Sequence, residues 1–269
     1  MSERDGFQDG VPCWVDTWQP DAEAAVAFYT AVFPWDTFET TPPGSERRHF
    51  MCTMRDRRIA GIGSPLVVPG HTPVWGTYVW VDDLDDVVAK VTDAGGNVPV
   101  EPFEALDGGR MAVISDPTGG VIAAWQVGEN HGAQILNEPG AWSMSSLHTR
   151  DVDGAKDFYA EVFGWKYEDF EMGDMRMTLA LVPGYVGGEP GQPVSRENVA
   201  VITDMTGLPD GTPTHWGVDF WIADADAAAA KATELGGSVV NGPFDHSGFR
   251  SVVIADPAGA VLTVSAKQG

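Results

Sequence analysis

The chain is poor in cysteine, in basic residues and in long apolar runs. Its two cysteines, Cys13 and Cys52, have no CxxC spacing; this excludes a zinc knuckle or a disulfide framework and leaves two buried, reduced thiols as the expectation. Lysine and arginine number 16 against 39 aspartates and glutamates in 269 residues, a formal charge of −23. Such a surface repels phosphate backbones, so nucleic acid is not an expected partner. No apolar stretch approaches the roughly 18 residues of a membrane span, and the opening MSERDGFQDG is polar and acidic, unlike a signal peptide. A cytoplasmic location without a membrane partner is expected.

What the chain does have is itself, twice. DAEAAVAFYTAVFPW from Asp21 returns as DVDGAKDFYAEVFGW from Asp151, and GRMAVISDPTGGVIAAW is echoed by FRSVVIADPAGAVLTVS. A repeat at this scale sets the architecture before any element is assigned. The copies divide near ENHGAQILNEPG, between Glu129 and Gly140. Within each copy, a strand, a helix and three strands are performed twice. Asp21 and Asp151 stand where helix N-caps belong, followed by apolar residues at helical spacing: Ala25, Phe28 and Val32, then Ala155, Phe158 and Val162. Gly95-Gly96 and Gly236-Gly237 read as helix stops. The fold class is therefore α+β, with four βαβββ units.

The FYxxVFxW helix after an acidic cap, the Gly-Gly stop and the endings at Asp116-Pro117 and Asp256-Pro257 resemble the vicinal oxygen chelate superfamily, which holds glyoxalase I, extradiol dioxygenases and bleomycin-resistance proteins. The layout is similar to the tandem, two-module actinobacterial type represented by the CFP32 antigen. The resemblance implies cupped mixed sheets with helices outside, in two glyoxalase/bleomycin-resistance-like modules over residues 8–130 and 139–267. It also implies a divalent metal held by His and Glu from the first, fourth, fifth and last strands of a cup. Carried onto this chain, those positions fall on Trp14, a residue near Gly61, Gly76 and Ala123, and on Met144, a residue near Val201, Gly217 and Thr263. None ligates a hard ion, so no metal and no other cofactor is expected. A centre built from His148, His215 and an acid is the one metal arrangement left open.

The stretch CWVDTW then poses a question, because alternate strand residues share a face and Trp14, Asp16 and Trp18 point together. If position 14 faces the cleft, so do Tyr78, Trp80 and Trp125 in the first copy and Met144, His148, Asp219 and Trp221 in the second. These ten are the candidate ligand-binding residues. A cleft lined by indoles with a few carboxylates suits a planar aromatic, even cationic, molecule. For any single tryptophan, core packing is the commoner role, and Trp35 and Trp165 are assigned to the core. Arg110 and Arg250 are read as supports of a loop or as partners of a ligand acid.

The expected function is metal-free binding of a small aromatic metabolite or antibiotic, for sequestration, resistance or presentation to a biosynthetic enzyme. The alternative is a diverged lyase, isomerase or oxygenase acting on a polyketide-like metabolite, with Asp16, Asp219, His148 and Tyr78 as its available acids and bases. The first unit is expected to face the fourth, so that Asp16 and Asp219 share one cleft. The Gly- and Pro-rich connection from Pro183 to Asn198 lies beside a cleft, as a lid or a plain insertion. The assembly is expected to be a monomer with pseudo-dimeric modules or a homodimer.

Overall fold

The computed structural model describes residues 3–65, 73–105, 109–172, 175–187, 195–207, 210–246 and 248–268. The first half runs β1 (Pro12–Trp18), α1 (Ala22–Val32), β2 (Asp36–Glu39), β3 (His49–Met54), β4 (Arg57–Gly63), β5 (Val74–Trp80), α2 (Leu84–Asp93), β6 (Asn97–Glu104), β7 (Arg110–Ser115) and β8 (Val121–Gln126). The second runs β9 (Trp142–Thr149), α3 (Val152–Phe163), β10 (Lys166–Met172), β11 (Met175–Leu181), β12 (Asn198–Asp204), β13 (His215–Trp221), α4 (Ala225–Glu234), β14 (Ser238–His246), β15 (Phe249–Ala255) and β16 (Val261–Lys267). The N-caps are as read: Asp21 accepts from the Ala24 N–H at 3.0 Å and Asp151 from that of Gly154 at 2.9 Å.

Each half closes its own eight-stranded sheet, in the order β2-β3-β4-β1-β5-β8-β7-β6 and then β10-β11-β12-β9-β13-β16-β15-β14. The two first strands, β1 and β9, pair antiparallel with β5 and β13 at the middle of each sheet. Both carry a one-residue irregularity, at Cys13 and at Ser143; such a bulge re-aims one side chain.

Helices pack across the halves, α1 on α4 and α2 on α3. The two buried clusters accordingly mix the copies: Phe28 and Tyr29 join Phe220 and Ala228 in one, while Val87 and Ile114 join Phe158 and Tyr159 in the other. Two buried latches tie the halves. The Tyr29 hydroxyl donates to Asp256 at 2.8 Å while accepting from the Trp75 indole at 2.9 Å. Tyr159 donates to Asp116 at 2.9 Å and accepts from Trp216 at 2.9 Å. Trp35 and Trp165 are core, as expected, and each indole N–H reaches a carbonyl of the other half's entry segment, Gly140 and Gly10, at 2.7 Å. Cys13 and Cys52 are free and buried, and burial holds both thiols far above their ordinary range. Among the described residues, no helix is long and apolar enough to cross a membrane.

Candidate functional site

Strand parity places the ten candidate side chains as two groups on two separate sheets. The expected meeting of the first unit's cleft face with the fourth is therefore corrected: Asp16 on β1 pairs with Gly61 and Gly76, and Asp219 on β13 pairs with Met144 and Thr263. The first and fourth units do meet, but through their helices.

The cup of the first sheet is filled. Trp14, Asp16, Tyr78 and Trp125 are only 4–6 % exposed, and Met111 joins them. The Tyr78 hydroxyl donates to Asp16 Oδ2 at 2.8 Å, and the ring of His49 crowds Gly61 beside Asp16, so that a methyl group there would meet its Nε2 at 2.9 Å. The segment between the halves lies over this cup. Trp125 donates its indole N–H to Asn130 O at 3.1 Å, the Ala133 N–H reaches Cys13 O at 2.8 Å, and His131 and Phe7 lie against the half-buried Trp80. Burial raises the Asp16 carboxyl to about 7, opposed by hydrogen bonds from Trp18 and Tyr78, and lowers His49 to about 4.

The second sheet keeps its cup open, as a cavity of about 490 Å³, within the size range of small-molecule sites. Met144, His148, Asp219 and Trp221 all line it. The difference between the cups follows from size at equivalent positions. Trp125 of the first copy corresponds to Ser265, and Met111 to Ser251, both pairs being cross-strand neighbours in the same register. Trp14 corresponds to Met144 and Tyr78 to Asp219. Three aromatic side chains and a thioether are thereby exchanged for two hydroxyls, a carboxyl and a thioether. The walls that remain are apolar, with Trp142, Phe170, Met177, Trp221 and Phe249 among them, and the Trp221 and Phe249 rings lie 5.2 Å apart.

Asp219 is the carboxylate of this cavity. The bulge at Ser143 brings that hydroxyl to 3.2 Å from Asp219 Oδ1, and Ser265 donates to Oδ2 at 2.7 Å. Burial raises its carboxyl to about 7, with the two serine hydrogen bonds acting the other way. His148 stacks on His215 at 4.8 Å, and burial together with that neighbour lowers it to about 4. Sequence reasoning did not find Trp142, His246 or Ser251. For Ser251 the signal was available in the comparison of the two copies, where it replaces Met111.

The connection from Pro183 to Asn198 flanks the cavity through Tyr185, Gly187, Ser195 and Asn198. Its central residues 188–194 lie outside the described residues. Arg110 and Arg250 pair with Asp85 and Asp226 in the first turns of α2 and α4, so both support local structure.

Residues 14–124 match the family model described as Glyoxalase/Bleomycin resistance protein/Dioxygenase superfamily, and residues 144–265 match that of a glyoxalase-like domain. The "Putative glyoxylase CFP32" of Mycobacterium tuberculosis is 36% identical over 271 residues, covering 98% of this chain and 97% of its own. The chain belongs to the glyoxalase/bleomycin resistance/dioxygenase superfamily. Another relative within the superfamily is the "Anthracycline biosynthesis protein DnrV" of Streptomyces peucetius, 30% identical with 96% of this chain and 94% of its own covered. Two solved structures share the fold at 16% identity. The Mn(II)-bound glyoxalase from Novosphingobium aromaticivorans aligns with a TM-score of 0.61 over 100% of this chain and 84% of its own. The 2,3-dioxygenase LapB from Pseudomonas sp. KL28 aligns at 0.60 over 98% and 94%.

The divalent ion of the superfamily's metal-bound enzymes does not fit the donors that the described residues of the second cup present. Side by side in the second cup stand Met144, Asp219 and Thr263, then Ser146, Gly217 and Val201. Among the described residues no group of three or more His, Cys, Asp or Glu side chains is placed to hold an ion, and this includes the His148–His215 pair. Catalytic zinc, as a guide, takes three protein ligands.

Proposed function

We propose that the second module binds a planar, fused-ring aromatic molecule in its cavity, with Met144, His148, Asp219 and Trp221 among the contacts. The observation that carries this reading is the difference between the cups: one sheet plugs its cup with Trp14, Met111 and Trp125, and the other leaves about 490 Å³ between aromatic walls. Flat rings gain from such walls by stacking and by apolar burial. Asp219, with Ser143 and Ser265, gives the cavity one polar end that orients a hydroxyl, a carbonyl or a cationic group. The relative named for anthracycline biosynthesis supports the ligand class, since an anthracycline carries a flat, fused, quinone-bearing ring system. Trp14, Asp16, Trp18, Tyr78, Trp80 and Trp125 serve in this reading as the plug and rim of the closed cup. The two halves supply within one chain what a one-module homodimer obtains by symmetry, so a monomer suffices.

Fluorescence titration with 1-hydroxyanthraquinone tests the reading, the ten tryptophans acting as reporters. Saturable quenching is expected, and Ser265→Trp, which restores the first copy's plug, should weaken it about tenfold or more. Quenching that does not saturate, or that Ser265→Trp leaves unchanged, would remove the cavity as the site.

A further inference from the structure

We propose that Asp219, Ser265, Ser251 and His246 form a proton relay, and that the second-module cavity catalyses proton transfer on an enolisable carbonyl compound fused to an aromatic ring. This rests on the cavity being the ligand site. Four neighbouring strands each contribute one member. His246 Nε2 on β14 lies 2.9 Å from Ser251 Oγ on β15, which lies 2.8 Å from Ser265 Oγ on β16, which donates to Asp219 Oδ2 on β13 at 2.7 Å. The chain of bonds runs straight across the sheet. Asp219, Ser265 and His246 line the cavity, and Ser251 is fully buried behind its wall.

The fold does not require this chain of groups. At the equivalent positions the first sheet carries Tyr78, Trp125, Met111 and Ala105, which cannot form such a chain; the buried carboxyl of that cup, Asp16, stands on β1 and is met by the Tyr78 hydroxyl instead. Burying a carboxyl and two hydroxyls in the other copy is expensive unless each is satisfied, and here each is satisfied by the next. A further donor stands in the same wall: the buried Trp142 Nε1 has no partner among the described residues, which leaves it for a ligand oxygen.

The chemistry balances without a metal or an oxidant. Asp219 as carboxylate takes the α-proton; the C–H electron pair becomes the C=C of an enolate, and the carbonyl π pair moves to oxygen, where the Trp142 N–H can donate. The acid then passes a proton to Ser265 Oγ, which releases its own to Ser251 Oγ, which releases its own to neutral His246 Nε2. Both serines are regenerated, and the imidazolium discharges to solvent. Return of a solvent proton by the same route completes the exchange. Asp219 near 7 is suited to both directions, and burial keeps His246 neutral by lowering it. Facing Asp219 are Ser143 and Met144 from β9 and Ser265 from β16. Around His246 stand Phe244, Phe249 and Ser251; of the charged groups on these strands, Arg250 pairs with Asp245 at 3.3 Å and with Asp226 of α4 at 3.1 Å, and Lys267 stands beside Phe249 on β16. The other titratable groups of the wall are His148 and Tyr185.

The test uses the full chain and 2-tetralone in D2O, following loss of the C1 methylene proton signal by NMR and binding by tryptophan quenching. Exchange should run well above the buffer rate, rise with pH through about 7, and fall to the buffer rate in Asp219→Asn. His246→Ala and Ser251→Ala should each slow it about tenfold or more. Added imidazole should restore the His246→Ala rate and leave Ser251→Ala slow, a pattern that a merely structural role for His246 would not produce. Quenching by 2-tetralone without accelerated exchange, or relay variants at the wild-type rate, would overturn the relay and spare the binding site. Failure of 2-tetralone to quench a protein that 1-hydroxyanthraquinone still quenches overturns the carbonyl assignment alone; failure of both overturns the binding reading as well.

Discussion

Tyr29 and Tyr159 show how much one hydroxyl can hold. Each donates to a buried aspartate in the opposite half while accepting an indole N–H from its own half. Asp256 Oδ2 also accepts from Gln19 at 2.7 Å, but removing the Tyr159 oxygen leaves Asp116 Oδ2 and the Trp216 indole N–H without that partner together, and hydrogen bonds to charged partners carry about 1.5–3 kcal/mol. Tyr159→Phe should therefore lower the urea midpoint by an amount equivalent to about that range at unchanged slope. A loss under about 0.5 kcal/mol would mean that water satisfies Asp116 and Trp216 equally well. Asp16 makes a different prediction, about pH. Its carboxyl ionises near 3.8 in the unfolded chain and near 7 in the fold, so between those values the folded state holds a proton that the unfolded state has released. The stability linked to it is complete below 3.8, declines as pH rises, and is gone above about 7. Asp219 adds a decline of the same sign. Asp16→Asn keeps an acceptor for Tyr78 and cannot ionise. Denaturant midpoints measured from about pH 5 to pH 8 should fall less steeply in this variant than in the wild type, and an equal slope would place Asp16 in contact with water.

At the scale of elements, the Gly-Gly stops do two jobs, of which the sequence displays one. Gly95 and Gly236 end their helices at φ values of 79° and 88°, the left-handed conformation that glycine adopts without penalty. Gly96 and Gly237 have a different reason. A methyl group on Gly96 would meet a ring carbon of Phe158, from α3 of the other half, at 2.6 Å, and one on Gly237 would meet Phe28 of α1 at 3.2 Å. Both methyl groups would also meet a backbone carbonyl, Ser115 O at 2.6 Å and Ala255 O at 2.5 Å, so Gly96→Ala and Gly237→Ala should each cost about 1–3 kcal/mol by overpacking, a loss that thermal melts would check. The same division runs through the whole reading. Helix caps, strand faces and the duplication depend on residues close in sequence, and all were legible. Which cup is open depends on Met111 against Ser251 and Trp125 against Ser265, and on a connecting segment laid over Cys13. These are volumes and covers assembled from distant strands, to which a periodicity of two is blind. Asp16 and Asp219 were likewise placed on the right face of their strands and in the wrong company, because parity fixes a face without fixing what stands opposite.

At the scale of the molecule, the sheets are private to each half and the cores are shared. α1 packs on α4 of the fourth unit and α3 on α2 of the second, and the latches through Asp116 and Asp256 cross between halves in both directions. At the centre, the Thr77 and Ser145 hydroxyls meet at 2.6 Å, one from each middle strand region. Neither half alone retains the aspartate to which its tyrosine hydroxyl donates, or the carbonyl that accepts from the indole of Trp35 or Trp165. Each would expose the apolar face of a helix that its own sheet does not cover, a surface of the kind that drives aggregation. Unfolding should accordingly be one cooperative event, with calorimetric and van't Hoff enthalpies agreeing, although the chain carries two repeats. Severing it within residues 129–138 should yield halves that are insoluble or unfolded when made singly and that recover the native near-ultraviolet signal when made together. A half that folds on its own, or two resolved melting transitions, would show that the sheets and not the shared cores dominate stability.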